Sequence, residues 1–193
     1  MRNVLPVNAK LVPKDAKLAF KGIIYDTYQW QQKMFDGSFE TFEMLKRPDT
    51  IKILAVKDGK VIILEQEQPG HEAFYDLPGG RHDVESESEL DAAKREMVEE
   101  TGMTFKAWRL LDITQPHTKI EQFVYIFLAT DFDKQTEQHL DAGEKIDVQY
   151  FDFQTVKQLT NDPKARYLPK ELLDKVDTLD ELINLPEYKG AKQ

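Results

Sequence analysis

The sequence predicts an α+β fold with helices packed on a mixed sheet, and three observations predict it. Short β-type runs fill the first part of the chain, an amphipathic helix covers residues 88–101, and β-type runs resume before a second helical pattern closes the chain. The hairpin signal around Asp58-Gly59 fixes two neighbouring strands of the sheet.

Taken in order, residues 1–16 carry Pro6 and Pro13 and little periodicity, and read as an extended arm. Residues 18–45 are rich in aromatic and β-branched residues around a turn at Asp36-Gly37-Ser38, which predicts a hairpin or meander. Arg47-Pro48-Asp49 breaks that pattern. Strands are expected at Ile51–Val56 and Val61–Glu65, and a third at Ala73–Leu77, ending at Pro78-Gly79-Gly80. In the helix, Ser88 suits an N-cap, with Asp91 three residues on. Leu90, Ala93 and Met97 share its core face, and Gly102 ends it. Strands follow at 105–113, 121–129 and 147–153, with 130–146 as a polar loop. Thr155–Thr160 predicts a short helix and Lys170–Asn184 a longer one, ahead of a frayed tail at 186–193.

The 193 residues fit one large domain, or a catalytic domain with a small extension. With 40% hydrophobic and 32% charged residues, a true core is available. The net charge of -9 argues against nucleic acid as a partner. A phosphate substrate stays possible, because a bound metal ion reverses the field locally. The absence of cysteine excludes disulfides, thiolate zinc sites and cysteine nucleophiles. Residues 1–17 have no long apolar core and no segment approaches the roughly 18 apolar residues of a span. The expectation is therefore a cytoplasmic chain without a membrane partner.

The chemistry concentrates between residues 77 and 103. On a helix, Glu96, Glu99 and Glu100 are spaced by three and four and lie on one face. Such crowded carboxylates repel one another unless a hard divalent cation compensates them. Gly79 and Gly80 let the backbone approach a ligand and can offer a carbonyl oxygen. Arg95 can pair with Glu87 and pin the loop to the helix. The bland alternative is a solvated acidic face, the usual fate of Glu-rich helices. The fixed set Arg95, Glu96, Glu99, Glu100 and Gly102 outweighs it, arising by chance in roughly one chain of this length in several thousand.

This run resembles the Nudix box: Gly, five residues, Glu, seven residues, then Arg-Glu-apolar-x-Glu-Glu-x-Gly-apolar. Glu87 to Met103 matches throughout, whereas six residues rather than five separate Gly80 from Glu87, a one-residue insertion in 81–86. The resemblance implies an α/β/α sandwich around a mixed sheet. It implies Mg²⁺ or Mn²⁺ held by Glu96, Glu99, Glu100 and a carbonyl at Gly79, and attack of water on a diphosphate. Metal ions serve that reaction by neutralising phosphate oxygens and acidifying water.

Residues preceding the box look like the ADP-ribose pyrophosphatase branch of that family: Tyr25-Asp26-Thr27-Tyr28, Met34-Phe35-Asp36-Gly37, Phe42 to Arg47, and Val61 to Gln66. The resemblance implies residues 1–46 as a dimer-forming β extension and 47–193 as the Nudix hydrolase domain. It implies a homodimer acting on a nucleoside diphosphate derivative, with Tyr28 stacking on the base and Arg47 on base or phosphates. Glu144 falls where the branch places its catalytic glutamate, with Glu99 as a second catalytic carboxylate and Glu121 as a fallback base. Gln68 stands where the branch has an Arg, so a cation is missing there, with Arg81 or Lys119 as replacements. Each residue has a plainer reading: Tyr28 and Trp30 as sheet packing, Arg47 as surface, Glu144 as a solvated loop acid, His117 as a polar lining residue. Three rival functions stay open: hydrolysis of another nucleotide sugar or a dinucleotide, a nucleotide sensor without turnover, and a structural interaction domain. The intact carboxylate set argues against the sensor, and a structural domain would leave residues 79–103 with no ligand.

Overall fold

The computed structural model describes residues 2–192. Its strands are β1 (Val4–Leu5), β2 (Lys17–Lys21), β3 (Asp26–Lys33), β4 (Phe39–Lys46), β5 (Asp49–Lys57), β6 (Lys60–Glu67), β7 (Phe74–Asp76) and β8 (Arg81–His82). Helix α1 (Glu89–Thr101) separates these from β9 (Met103–Thr114), β10 (Ile120–Glu121), β11 (Val124–Gln135) and β12 (Lys145–Phe151). Three short helices follow, α2 (Phe153–Leu159), α3 (Lys170–Leu173) and α4 (Leu179–Ile183), before β13 (Ala191–Lys192).

The central sheet runs β12-β6-β5-β11-β9, with β7 on β6 and β8 on β5. It is mixed, because β5 and β11 pair in parallel while the other pairs are antiparallel. The β5–β6 hairpin turns on Asp58 and Gly59, with φ of 51° and 73°, the two positive values that a two-residue hairpin of matching twist needs.

Alternation along β5 and β6 divides the apolar residues between two cores. Ile51, Ile53, Ala55, Ile62 and Leu64 meet Ala92, Ala93 and Met97 of α1. Leu54, Val56, Val61 and Ile63 meet Phe153, Val156, Leu172, Leu173 and Leu182 of the later helices and Val176 between two of them. Fully burying one such aliphatic side chain is worth about 1.5–3 kcal/mol, so both faces hold the sheet. The expected α+β sandwich, helices on both faces of a mixed sheet, is the observed fold.

Residues 17–46 form a separate sheet, β10-β4-β3-β2, joined to the rest by the parallel pairing of β4 with β10. The pairing of β1 with β13 ties residues 4–5 to residues 191–192. Arg2 docks on Asp49 (2.6 Å) and Glu121 (2.7 Å), and Leu5 is buried in the α1-side core.

Several expected boundaries move. The loop expected at 130–146 shrinks to 136–144, because β11 continues to Gln135 in register with β9 as far as Met103. Polar residues there alternate on an edge that leaves one face in solvent, so a polar run was compatible with a strand. The single helix expected at Lys170–Asn184 breaks into α3 and α4. Thr178, in an extended conformation, caps α4 by accepting the Glu181 N–H at 3.1 Å. The tail expected to fray from 186 is held by β13 and by the Tyr188 N–H on the Leu110 carbonyl at 2.8 Å; Gln193 lies outside the described residues.

Candidate active site

The loop at 77–80 is built against β5. Pro78 and Gly80 accept backbone hydrogen bonds from Ile53 and Ile51, both at 2.9 Å. The Gly79 carbonyl has no amide partner among the described residues. At Gly79, φ is 136°, and a Cβ would overlap the Ile51 carbonyl, so only glycine fits. The Gly79 N–H donates to Glu100 Oε2 at 2.6 Å. A Cβ on Gly80 would meet the Glu96 carboxylate at 2.5 Å, so the second glycine makes room for that acid.

Helix α1 presents the acids. Ser88 accepts the Asp91 N–H at 3.1 Å, and Gly102 closes the helix with φ of 70°. Arg95 donates to both Glu87 oxygens at 2.9 and 3.2 Å and to the Arg81 carbonyl at 3.2 Å, pinning the loop 81–87 to the helix. Its Nη1 also bridges Glu96 (2.8 Å) and Glu99 (2.9 Å).

The segment 136–144 is fastened to the C-terminal end of α1, whose last carbonyls need donors. The Thr136 and His139 N–H groups donate to the Gly102 and Glu99 carbonyls at 2.8 Å, and Gln138 Nε2 donates to the Glu100 carbonyl at 2.5 Å. Glu144 thereby reaches the same cleft as Glu96, Glu99 and Glu100. Within the segment, Glu144 Oε2 accepts the Asp141 N–H at 3.3 Å.

These carboxylates act on one another. Burial pushes Glu100 well above the usual carboxylate range; the Lys52 charge and the Gly79 N–H pull it back, while Glu96 and Glu144 push it further up. Burial also raises Glu96, against hydrogen bonding and charge from Arg95, with Glu99 and Glu144 adding to the rise. Glu144 is raised by burial, with the Asp141 N–H opposing and the Asp141 and Glu99 charges reinforcing. Each acid therefore resists ionising until a cation joins it.

The donor chemistry fits a hard divalent cation: three carboxylates and a free carbonyl, all oxygen. No three acidic or imidazole side chains converge as a finished cage among the described residues. The reason is visible in the contacts, since Arg95 occupies Glu96 and Glu99 and the Gly79 N–H occupies Glu100. A cation would take over the neutralising role that Arg95 fills here.

The cleft encloses about 760 Å³ and brings together most of the residues singled out from the sequence: Arg47, Gln68, Gly79, Arg81, Glu96, Glu99, Glu100 and Glu144. His117 and Pro116 also line it. Tyr28 does not; it lines a neighbouring cavity with Lys46 and the segment 82–87, and Arg47 reaches both cavities. Tyr25 faces the cleft instead, with its hydroxyl 3.1 Å from Arg47 Nη1 and its ring 5.3 Å below the guanidinium. Trp30 packs edge-on against Phe42.

Two fallback assignments fail on geometry. Glu121 is buried in an ion-pair network with Arg2 and Lys46 (2.7 and 2.9 Å) and accepts the Val12 N–H at 2.6 Å. Burial alone would raise its carboxyl, but Lys46, Arg2 and that N–H bring it below the usual range, so it is a structural anion rather than a base. Lys119 lies over the Phe42 ring at 5.1 Å and lines a different cavity.

Among the lining residues that the sequence reading did not single out are Lys52, Asp76, Arg166 and Tyr167. Lys52 interrupts the apolar run of β5 and makes a buried ion pair with Asp76 at 2.8 Å. A lysine inside an apolar strand was the available clue, because burial demands a partner. Burial raises Asp76 and Lys52 opposes the rise. Arg166 and Tyr167 arrive from a loop that only the tertiary fold brings near β7.

Comparison with known proteins gives a consistent result. The NUDIX domain family matches residues 46–172. An ADP-ribose pyrophosphatase of Bacillus subtilis (strain 168) is 32% identical over 135 residues, covering 67% of this chain and 71% of the relative. A crystal structure of an ADP compounds hydrolase superimposes with a TM-score of 0.65 at 16% identity, covering 78% of this chain and 83% of that one. At that identity the likeness speaks for the fold.

Proposed function

The chain belongs to the NUDIX domain family and is a hydrolase of diphosphate bonds, and on that premise we propose that it cleaves ADP-ribose or a close nucleoside diphosphate sugar. The products are a nucleoside monophosphate and a sugar phosphate. One observation carries the reading: the segment 136–144 is bonded to the end of α1, which sets Glu144 in the cleft with Glu96, Glu99 and Glu100. The curated relative's name, an ADP-ribose pyrophosphatase, supports the substrate class.

Glu96, Glu99, Glu100 and the Gly79 carbonyl would hold Mg²⁺ or Mn²⁺. A divalent cation bound there neutralises phosphate oxygens and lowers the pKa of water. The protein's own part is orientation and proton transfer. Glu144, free of any cationic partner among the described residues and raised in pKa, accepts the proton of the attacking water. The water oxygen bonds to one phosphorus, the bridging P–O bond breaks, and its electron pair leaves with the other phosphate. Glu99 lies beside Glu144 closely enough for its charge to be felt there, and orients that water. Arg47, with a buried Nε lacking a partner among the described residues, holds the nucleotide, and Gln68 and Arg81 contact the substrate further along.

Residues 1–46 act as an extension that forms a homodimer, the sheet of residues 17–46 supplying the contact. Phe20 (65%), Ile23 (102%), Phe35 (112%) and Phe39 (61%) expose apolar side chains there, which a partner's surface would cover. Tyr28, on the same sheet, then contributes to nucleotide binding from the side of the dimer. The proposed site of action is the cytoplasm. Separately, no helix of the described residues is long and apolar enough to cross a membrane.

The test is a panel of ADP-ribose, nucleotide sugars, dinucleotides and nucleoside triphosphates with Mg²⁺ or Mn²⁺. ADP-ribose is expected to give the highest kcat/KM. A triphosphate or dinucleotide turned over more efficiently would overturn the substrate assignment.

A further inference from the structure

Five lysine or arginine side chains line the cleft: Arg47, Lys52, Arg81, Arg95 and Arg166. A diphosphate ester entering it meets many acids and needs cations that are not already spoken for. Lys52 is held by Asp76 at 2.8 Å, Arg95 by Glu87, Glu96 and Glu99, and Arg81 lies 3.8 Å from Asp83. Among the described residues only Arg47 and Arg166 of these five make no ion pair.

Arg166 is also fixed in place. Its N–H donates to the Tyr75 carbonyl at 2.7 Å, and the Tyr75 N–H donates to the Lys164 carbonyl at 2.9 Å, stapling this loop to the edge of β7. Its guanidinium lies 3.9 Å over the Phe74 ring, and Nη2 is 3.4 Å from His71 Nδ1. Tyr167 follows in the left-handed region with φ of 51°, a conformation that costs about 1–3 kcal/mol in a non-glycine residue and persists only where the surroundings impose it. The staple therefore sets the direction of Arg166 at a price in backbone strain. Stacking covers one face of the guanidinium and leaves its edge N–H groups for an oxygen anion. A pre-oriented arginine loses little freedom when it binds. The backbone N–H of His71 donates to the Gln68 carbonyl at 2.9 Å, so the residue that Arg166 contacts closes the turn from Gln68, an uncharged lining position.

We infer that Arg166 is a substrate-anchoring residue of this hydrolase, donating to a non-bridging oxygen of the diphosphate. The assignment rests on the substrate reading above, since it takes a diphosphate ester as the ligand. Among the described residues Arg166 contacts none of the acids of α1, so its expected part is to hold the diphosphate, which KM and Kd read.

The experiment compares wild type with Arg166→Gln, Arg166→Lys and Lys164→Gln, the last removing the same charge from an exposed position of the same loop. Two readouts are taken with Mg²⁺: steady-state ADP-ribose hydrolysis, and ADP binding by calorimetry, ADP serving as a diphosphate that lacks the distal ribose. Arg166→Gln is expected to raise KM and the ADP Kd about 10-fold or more with kcat within about threefold. Arg166→Lys should recover part of the loss and Lys164→Gln should match wild type. An unchanged KM and Kd in Arg166→Gln overturns the anchor, as does an equal loss in Lys164→Gln. Circular dichroism and melting curves separate a folding defect, and if Arg166→Gln is misfolded, the decision passes to Arg166→Lys, where an unchanged Kd overturns the anchor. Should wild type bind ADP in an Arg166-dependent way yet leave ADP-ribose intact, the anchor stands and the substrate reading falls. Should wild type neither bind ADP nor cleave ADP-ribose, both fall.

Discussion

The lining of the cleft comes from two kinds of chain. One part, Gly79 to Glu100, is nearly continuous in sequence, and its acids are pinned by short-range contacts: Gly79 on Glu100, Arg95 on Glu87, Glu96 and Glu99. The other part is collected from Gln68–Phe74, His139–Glu144 and Arg166–Tyr167, and is held by backbone hydrogen bonds to α1 and β7. The difference teaches a division of labour. The contiguous part has the density of oxygen donors that a cation needs. Among the described residues the assembled part has two acids without an ion pair, Asp141 and Glu144, with Arg166 and aromatic surface, which suits proton transfer and substrate binding.

The largest expected effect attacks the contiguous part. Glu100→Gln should reduce turnover by at least about 10³-fold, beyond the 10–100-fold typical of residues that merely support a ligand. The fold should survive, because the amide oxygen can still accept the Gly79 N–H and the substitution removes a buried acid that resists ionising. Steady-state rates with melting curves check this, and near-normal Mg²⁺-dependent turnover would remove the metal assignment. Glu144→Gln attacks the assembled part. A loss of about 10²-fold is expected, the lower end of what general-base help supplies, with KM nearly unchanged. Wild-type single-turnover rates would leave Glu144 a solvated loop acid.

A smaller effect concerns the N-terminal sheet. Ile23→Asp places a charge on a fully exposed apolar residue, and should weaken dimerisation about 10-fold or more by light scattering while the isolated cleft keeps its Mg²⁺ affinity. A wild-type monomer at micromolar concentration with full activity would contradict the dimer. The smallest effect is on stability against pH. Glu96, Glu100 and Glu144 all have folded-state values raised above their unfolded ones. Their linkage contribution is therefore fully present at low pH and is lost as pH rises through the raised values. Without metal, the melting temperature should decline by a few degrees across that window, in addition to any trend from other groups, and Mg²⁺ should restore it most at the higher pH. A metal-free melting temperature that rises across the window, with no Mg²⁺ effect, would contradict the shared acidic site.

The same contrast explains what was legible in the sequence. Spacing along a helix converts directly into a common face, so Glu96, Glu99, Glu100 and the Arg95–Glu87 clamp could be read from the chain, as could the Asp58-Gly59 hairpin and the Ser88 and Gly102 caps. Lys52 was hidden because its partner, Asp76, lies on another strand. Arg166 was hidden because an irregular loop pairs with β7 only after the sheet has formed. Tyr25 and Tyr28 look alike in sequence, yet Tyr25, just before β3, lines the cleft and Tyr28, within β3, lines the neighbouring cavity. The continuation of β11 to Gln135 and the break between α3 and α4 escaped for the same reason: edge pairing and a local cap overrode the polarity pattern.

The division of labour itself is tested most directly by the Mg²⁺ dependence of single-turnover ADP-ribose cleavage, measured side by side for wild type, Glu100→Gln and Glu144→Gln. The account predicts that Glu144→Gln slows the saturated rate while leaving the half-saturating Mg²⁺ concentration within about twofold of wild type, and that Glu100→Gln raises it about 10-fold or more. Equal shifts in Mg²⁺ dependence for both variants, or a shift for Glu144→Gln alone, would contradict it.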